Sequence, residues 1–194
     1  MNKKFAAVGV GLAIVLSFTN CTGDIADAEQ LNIATPTVVQ KSINFNPIES
    51  LTLMQKQQQR LQKVERNTTK MKNVLKYLKS RKHKTPYVFA GSNPKYGWDC
   101  SGLVLWTYKQ FNIELKHSAT AQGHSGKKVS YKNAKPGDIV TFSHGSNYWY
   151  YHSGIYLGNG MIVDGNSWHG TTVVQSLKNF KGDKITFRRL VETN

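Results

Sequence analysis

The chain changes character once, near residue 85, and that change limits its fold more than any other feature. Residues 50–82 (SLTLMQKQQQRLQKVERNTTKMKNVLKYLKSRK) are helix formers without glycine or proline. From Thr85 onward, glycine, aromatic and β-branched residues dominate. Short strand-like runs appear there: 138–142 (DIVTF), 153–157 (SGIYL), 161–163 (MIV), 171–174 (TTVV) and 184–188 (KITFR). Gly158-Asn159-Gly160 separates two of them with a hairpin turn of the Asn-Gly kind. Helical patterning returns at 100–110 (CSGLVLWTYKQ) and again from Ser118 (SATAQ). Helices first and then an antiparallel meander define an α+β domain. The 194 residues suffice for one such domain plus an appendage.

The appendage divides further. Lys3 and Lys4 precede an apolar stretch, 5–18 (FAAVGVGLAIVLSF). It is shorter than the roughly 20 residues of a membrane helix and matches the apolar centre of a secretory signal. Two processing points compete. Ala26-Asp27-Ala28 is an A-x-A site that leaves Glu29 first. Phe18-Thr19-Asn20-Cys21 is a lipobox in which Asn20 replaces the usual small residue and Cys21 is acylated. Both place the protein outside the cytoplasm: in the cell envelope, the periplasm or the medium. Residues 29–47 lack periodicity and read as a tether. In the helix-forming stretch Leu51, Met54, Leu61 and Val64 share one face, and Met71, Val74, Leu75 and Leu78 another register. Asn67-Thr68-Thr69 is expected to break the helix, with Thr68 or Thr69 capping a second one. The resulting division is 1–28 signal, 29–68 tether and basic helical segment, and 69–194 α+β domain.

Charge is lopsided, with 26 Lys and Arg against 11 Asp and Glu. Eleven basic residues and one acid, Glu65, fall between Lys56 and Lys84. A solvated helix face explains part of this. A surface that docks on an anionic wall polymer or membrane explains the rest. Nucleic acid is not expected as a partner: no aromatic cluster interleaves the charge, no zinc or ribonucleoprotein motif is present, and the export signal points elsewhere. The protein is expected to act as a monomer.

Two cysteines, Cys21 and Cys100, exclude a disulfide-stapled scaffold and a four-cysteine zinc site. No set of His, Cys and Asp shows metal-ligand spacing, so neither metal nor cofactor is implied. Apolar periodicity starts immediately after Cys100, which places that residue at a helix N-terminus. Unpaired N–H groups and the positive end of the helix dipole stabilise negative charge on sulfur there. A cysteine nucleophile needs a base, and His152 opens the strand-like run His152-Ser153-Gly154-Ile155-Tyr156-Leu157. His83 lies in the basic run and is expected to be solvated. His144 and His169 sit in Gly/Ser-rich loops, and His124 reads as loop surface. The base needs a partner for its second ring nitrogen. A hairpin closing at Gly158-Asn159-Gly160 brings Asp164 beside His152 on the same side, provided no bulge intervenes. Asn166 stands close enough to serve instead, and Asp164 before Gly165 also suits a plain turn.

Four blocks now resemble a family: Tyr87-Val88-Phe89-Ala90-Gly91, Asp99-Cys100-Ser101-Gly102-Leu103-Val104, Pro136-Gly137-Asp138-Ile139-Val140, and 152–160 (HSGIYLGNG). In order and spacing they are similar to the NlpC-type (NlpC and p-sixty) cell-wall cysteine peptidases. The stretch 115–122 (LKHSATAQ) is similar to the family's Leu-Pro-Arg-Thr-Ser-x-x-Gln, keeping Leu115 and Gln122. The resemblance implies a papain-like core in which the helix bearing the nucleophile packs on an antiparallel sheet, with the basic helical segment ahead of it. It implies Cys100 as nucleophile, His152 as base and then acid, and Asp164 as the third polar residue, where many members carry histidine. It implies that Tyr87 borders the nucleophile and that Asp99 and Ser101 stand near the substrate's peptide end. The implied activity is a peptidoglycan hydrolase cutting an amide in the stem peptide, between D-glutamate and the diamino acid. The Asp164-x-Asn166 ending also resembles that of the CHAP amidases. The sugar–peptide amide (N-acetylmuramoyl-L-alanine) is therefore the alternative bond, and a non-catalytic wall-binding protein the alternative class.

Overall fold

The computed structural model describes residues 46–145 and 148–194. The apolar stretch 5–18, both processing points with Cys21, and the tether through residue 45 lie outside the described residues.

Helix α1 (Pro47–Ser80) starts where its sequence says a helix can start. Asn46 caps it, with its Oδ1 accepting from the Ile48 N–H at 3.1 Å, and Pro47 takes the first helical position, where no N–H is needed. The expected break at 67–69 does not occur: α1 is one continuous helix of 34 residues. Asn and Thr cost a helix only a few tenths of a kcal/mol each, and tertiary bonds outweigh that. Thr68 Oγ1 donates back to the Val64 carbonyl (2.8 Å) and accepts from the Asn194 N–H (2.9 Å). Asn67 Nδ2 reaches the Glu192 carbonyl (3.4 Å). Asn67 and Thr68, which suggest a break in sequence, are a docking point for the last residues described.

Only the second half of α1 is buried. Met71, Val74, Leu75 and Leu78 enter a core with Trp98, Leu103, Val104, Tyr108, Ile139, Ile155 and Val163. Gly137 makes room for this. Its φ is +99°, and a Cβ there would meet the Met71 side chain at 2.7 Å.

The sheet has six strands, all antiparallel: β3 (Lys127–Val129), β4 (Ile139–Ser143), β5 (His152–Gly158), β6 (Met161–Asn166), β7 (Thr171–Ser176) and β8 (Lys184–Arg189). Their order is β3-β8-β4-β5-β6-β7. Strands β4 to β7 form the expected meander, and β8 returns to the far side of β4. β4 is buried along its whole length because both its faces are covered. Ile139, Ile155 and Val163 pack toward α1 and α2 (Cys100–Lys109). Val140, Phe142, Tyr156, Ile162 and Phe187 form a second cluster. A two-stranded hairpin, β1 (Ser92–Asn93) with β2 (Gly97–Trp98), leads into α2, and α3 (Ala119–Gly123) follows with Ser118 as its cap. These elements form the α+β architecture expected of the sequence, with the helix that carries Cys100 laid on an antiparallel sheet.

Candidate active site

Cys100 is the first residue of α2 and is a free, half-buried thiol. Asp99 fixes that helix start. Its Oδ1 accepts from the Gly102 N–H (2.6 Å), the Ser101 hydroxyl (3.0 Å) and His117 Nε2 (2.8 Å), while its Oδ2 accepts from the Ala90 N–H (3.0 Å). Four donors on one carboxylate lock the turn in place. Gly102 lets the turn sit against the preceding loop, since a Cβ there would lie 1.9 Å from the Gly91 carbonyl oxygen. Ala90, in that loop, has φ +58°, a conformation that disfavours any side chain and is held here by the bond to Asp99. The side chains of Asp99 and Ser101 thus point inward, and both residues are buried.

His152 opens β5, and its ring bonds on both edges. Nε2 lies 2.9 Å from Asp164 Oδ2, and the ring also hydrogen-bonds the Cys100 side chain, which leaves Nδ1 for sulfur. Phe180 stacks on the imidazole at 5.8 Å between ring centroids, and Phe142 leans on it at 5.6 Å. Burial alone would depress the imidazole's pKa. The bonds to Asp164 and Cys100, with their negative charge, outweigh it and raise the value to about 9. A protonated imidazole is therefore held at neutral pH, facing the Cys100 sulfur.

Asp164 has no exposed surface. Besides His152, it accepts from Asn166 Nδ2 (3.1 Å at Oδ2) and from Gln175 Nε2, which spans both oxygens at 3.0 and 3.1 Å. Neither amide can turn round freely. Asn166 Oδ1 accepts the His169 backbone N–H (3.0 Å), and Gln175 Oε1 accepts from Asn179 Nδ2 (3.1 Å). The strand register explains the convergence. His152 pairs with Phe142, Tyr156 with Ile162, Asp164 with Val173 and Ile162 with Gln175, so His152, Asp164 and Gln175 share one face. The β5–β6 register shift falls between Tyr156 and Gly158, on the turn side of both residues, and does not separate them.

Tyr87 stands beside this group. Its phenol pKa is raised by burial first and then by the charges of Cys100 and Asp99, which puts the hydroxyl within electrostatic reach of both. The structure therefore brings together Tyr87, Asp99, Cys100, Ser101, His152, Asp164 and Asn166. Of the other histidines, His169 joins the edge of the network through Asn166 (2.9 Å). His144 instead pairs with Asp183 (2.9 Å) and stacks on Tyr151, and His124 Nε2 meets the Tyr148 carbonyl at 3.1 Å. Among the described residues, no three His, Cys, Asp or Glu converge as metal ligands would.

Sequence reasoning missed three members. Gln175 sits on β7, where a polar residue in an alternating strand reads as solvent-facing. His117 occupies a loop position whose only cue is its place in the 115–122 stretch. Gln122 is fully buried and ties the two halves together. Its Nε2 donates to the Ser101 carbonyl (2.8 Å), and its Oε1 accepts from the Ser153 hydroxyl (2.9 Å), so the neighbours of Cys100 and His152 share one side chain.

Comparison with known proteins agrees with this arrangement. Residues 84–189 match the NlpC/P60 family model. The chain is 43% identical over 101 residues to the bifunctional muramidase/DL-endopeptidase CwlT of Bacillus subtilis (strain 168), covering 50% of this chain and 29% of that one. It is 39% identical over 102 residues to the gamma-DL-glutamyl hydrolase of the same organism, covering 52% of this chain and 25% of the relative. It thus spans less than a third of either relative. Among solved structures, NlpC2 from Trichomonas vaginalis has a TM-score of 0.55 at 28% identity, covering 62% of this chain and 46% of that one.

Proposed function

The chain belongs to the NlpC/P60 family, and on that premise we propose that it is a peptidoglycan hydrolase, a cysteine endopeptidase that cuts an amide of the stem peptide. The observation that carries this reading is the alignment of Cys100, His152 and Asp164: a thiol at a helix start, bonded to an imidazole whose far nitrogen rests on a buried carboxylate.

The chemistry follows from that geometry. The Cys100 proton rests on His152 Nδ1, and the sulfur attacks the amide carbonyl carbon. Negative charge moves onto the carbonyl oxygen, which backbone N–H groups at the start of α2, including that of Cys100, are placed to receive. The tetrahedral species collapses as His152 gives its proton to the leaving amine, and a thioester remains on Cys100. Water then loses a proton to His152 and attacks the thioester carbon. The new carboxylate leaves, and the thiol is restored. Asp164 keeps the imidazole in the tautomer that presents Nδ1 to sulfur and offsets the imidazolium charge.

The bond we assign is D-glutamyl to diamino acid. The names of the two Bacillus relatives, a DL-endopeptidase and a gamma-DL-glutamyl hydrolase, support that choice. We further propose export through the 5–18 signal, with release after Ala28 or anchoring at Cys21. The basic segment 56–84 then holds the enzyme on an anionic wall or membrane surface. On α1, Lys56, Arg60, Lys63, Arg66 and Lys70 are all exposed, which leaves them available for that contact.

The test is mass spectrometry of soluble products after purified peptidoglycan is incubated with residues 29–194 and with its Cys100→Ala variant. Cut stem peptides from the parent alone support the reading, and fragment masses distinguish the D-glutamyl bond from the sugar–peptide amide. Release of nothing by the parent, while both proteins bind the wall, would replace the enzyme with a binding module.

A further inference from the structure

The protein carries 26 lysines and arginines, yet three of its loops carry no charged residue of either sign. They are 85–91 (TPYVFAG), 144–151 (HGSNYWYY) and 166–170 (NSWHG), discounting their histidines. The described residues of all three border the site. The first holds Tyr87, whose phenol feels Cys100, and Ala90, whose N–H binds Asp99. The third is joined to it through the Tyr87 N–H and the Gly170 carbonyl (2.9 Å) and begins at Asn166, bonded to Asp164. The second leads directly into His152, with Trp149 6.3 Å from the Tyr151 ring and Tyr151 6.3 Å from the imidazole.

Four of the seven exposed Phe, Tyr and Trp residues among the described ones lie on these loops. Phe89 is 85% exposed and Trp168 92%, with Val88, Tyr148 and Trp149 also exposed on these loops. Large apolar side chains grouped on a surface mark contact sites, whereas single ones need no explanation. The partner of this rim is neutral, since an acidic ligand would be met by cations, and the chain has many to spare elsewhere. It also presents flat faces of C–H groups, which the electron-rich faces of Phe and Trp rings attract. Ser167, exposed next to Trp168, offers a hydroxyl to meet polar edges. Pyranose rings bearing N-acetyl groups satisfy all three conditions.

We propose that Phe89 and Trp168 form a sugar-binding rim that stacks on the N-acetylhexosamine rings of the glycan strand, to which the stem peptide is attached. This inference rests on the peptidoglycan reading for its biological substrate, but its test does not require cleavage. Sugar recognition here presents the stem to Cys100 from the glycan side, while the basic segment makes a separate, charge-dependent contact.

The experiment is isothermal titration of the full chain with a β-1,4-linked N-acetylglucosamine hexamer, a neutral probe that the basic helix has no reason to hold. Saturable binding is expected, weakened about tenfold by Phe89→Ala and by Trp168→Ala. Trp168→Phe keeps a ring and is expected to restore most of the affinity. Circular dichroism melts of each variant establish that the fold is intact. Absence of binding by the parent, equal binding by the alanine variants, or equal loss in Trp168→Phe and Trp168→Ala would each overturn the proposal. Failure of the parent to cut stem peptides while it still binds the hexamer would instead overturn the hydrolase reading and leave the rim standing.

Discussion

Asp164 is the residue on which the site's electrostatics turn. A fully buried carboxylate is tolerated because every direction it faces supplies a donor: His152, Asn166 and Gln175. Asp164→Asn keeps the shape and removes the charge. The pKa of His152, held up at about 9, is expected to fall, and kcat to drop by roughly 10³. NMR titration of the imidazole and product assays check the two parts separately. Stability follows the same pairing. A histidine raised above its unfolded value of 6.5 contributes stability that is full below about pH 6.5 and disappears as pH rises through about 9. Urea unfolding between pH 6 and 10 should show that decline in the parent and a flatter profile in Asp164→Asn. Gln175→Leu leaves an oxygen of Asp164 without its donor and is expected to cost about 1–3 kcal/mol, read from the same unfolding curves. Cys100 and His152 were legible in sequence because each opens an element, a helix and a strand, and Asp164 because the Gly158-Asn159-Gly160 turn brings it back beside His152. Gln175 was not. Its face is set by the β6–β7 register, and nothing in the loop between those strands states the register in advance.

At the scale of elements, α1 is where sequence and structure part. Local propensity reads Asn67-Thr68-Thr69 as a stop, yet the helix runs through it because residues 192–194 supply bonds that no local reading could contain. Asn67→Pro tests this directly. In a true break it would be harmless, whereas in a continuous helix it is expected to cost about 3 kcal/mol or more, as measured by chemical denaturation. Leu78→Ala, in the buried half, is expected to cost about 2–5 kcal/mol because Leu78 has no exposed surface and a rigid core does not close over the gap. The strands of the meander were all visible as β-branched runs. β1, β2 and β3 were not, since two or three residues carry no period to detect.

Over the whole molecule, the cations are segregated from the uncharged loops around Cys100. Binding to intact cell wall should therefore fall with added salt, while binding of the neutral sugar hexamer should not. Sedimentation of the protein with purified wall between 50 and 500 mM NaCl measures the first, and titration over the same range the second. The tryptophans are segregated too. Trp98 is buried, donates to Thr172 Oγ1 at 2.7 Å and lies 5.8 Å from Trp106, which in turn meets Tyr77 of α1 at 5.0 Å. Trp149 and Trp168 stand in solvent. The chain's own fluorescence therefore divides into two channels. A blue-shifted emission, shielded from iodide and accompanied by a near-ultraviolet dichroic band from the paired indoles, reports whether α1 is seated. A red-shifted emission that iodide quenches reports what occupies the loops, so the two events can be followed in one cuvette without a label.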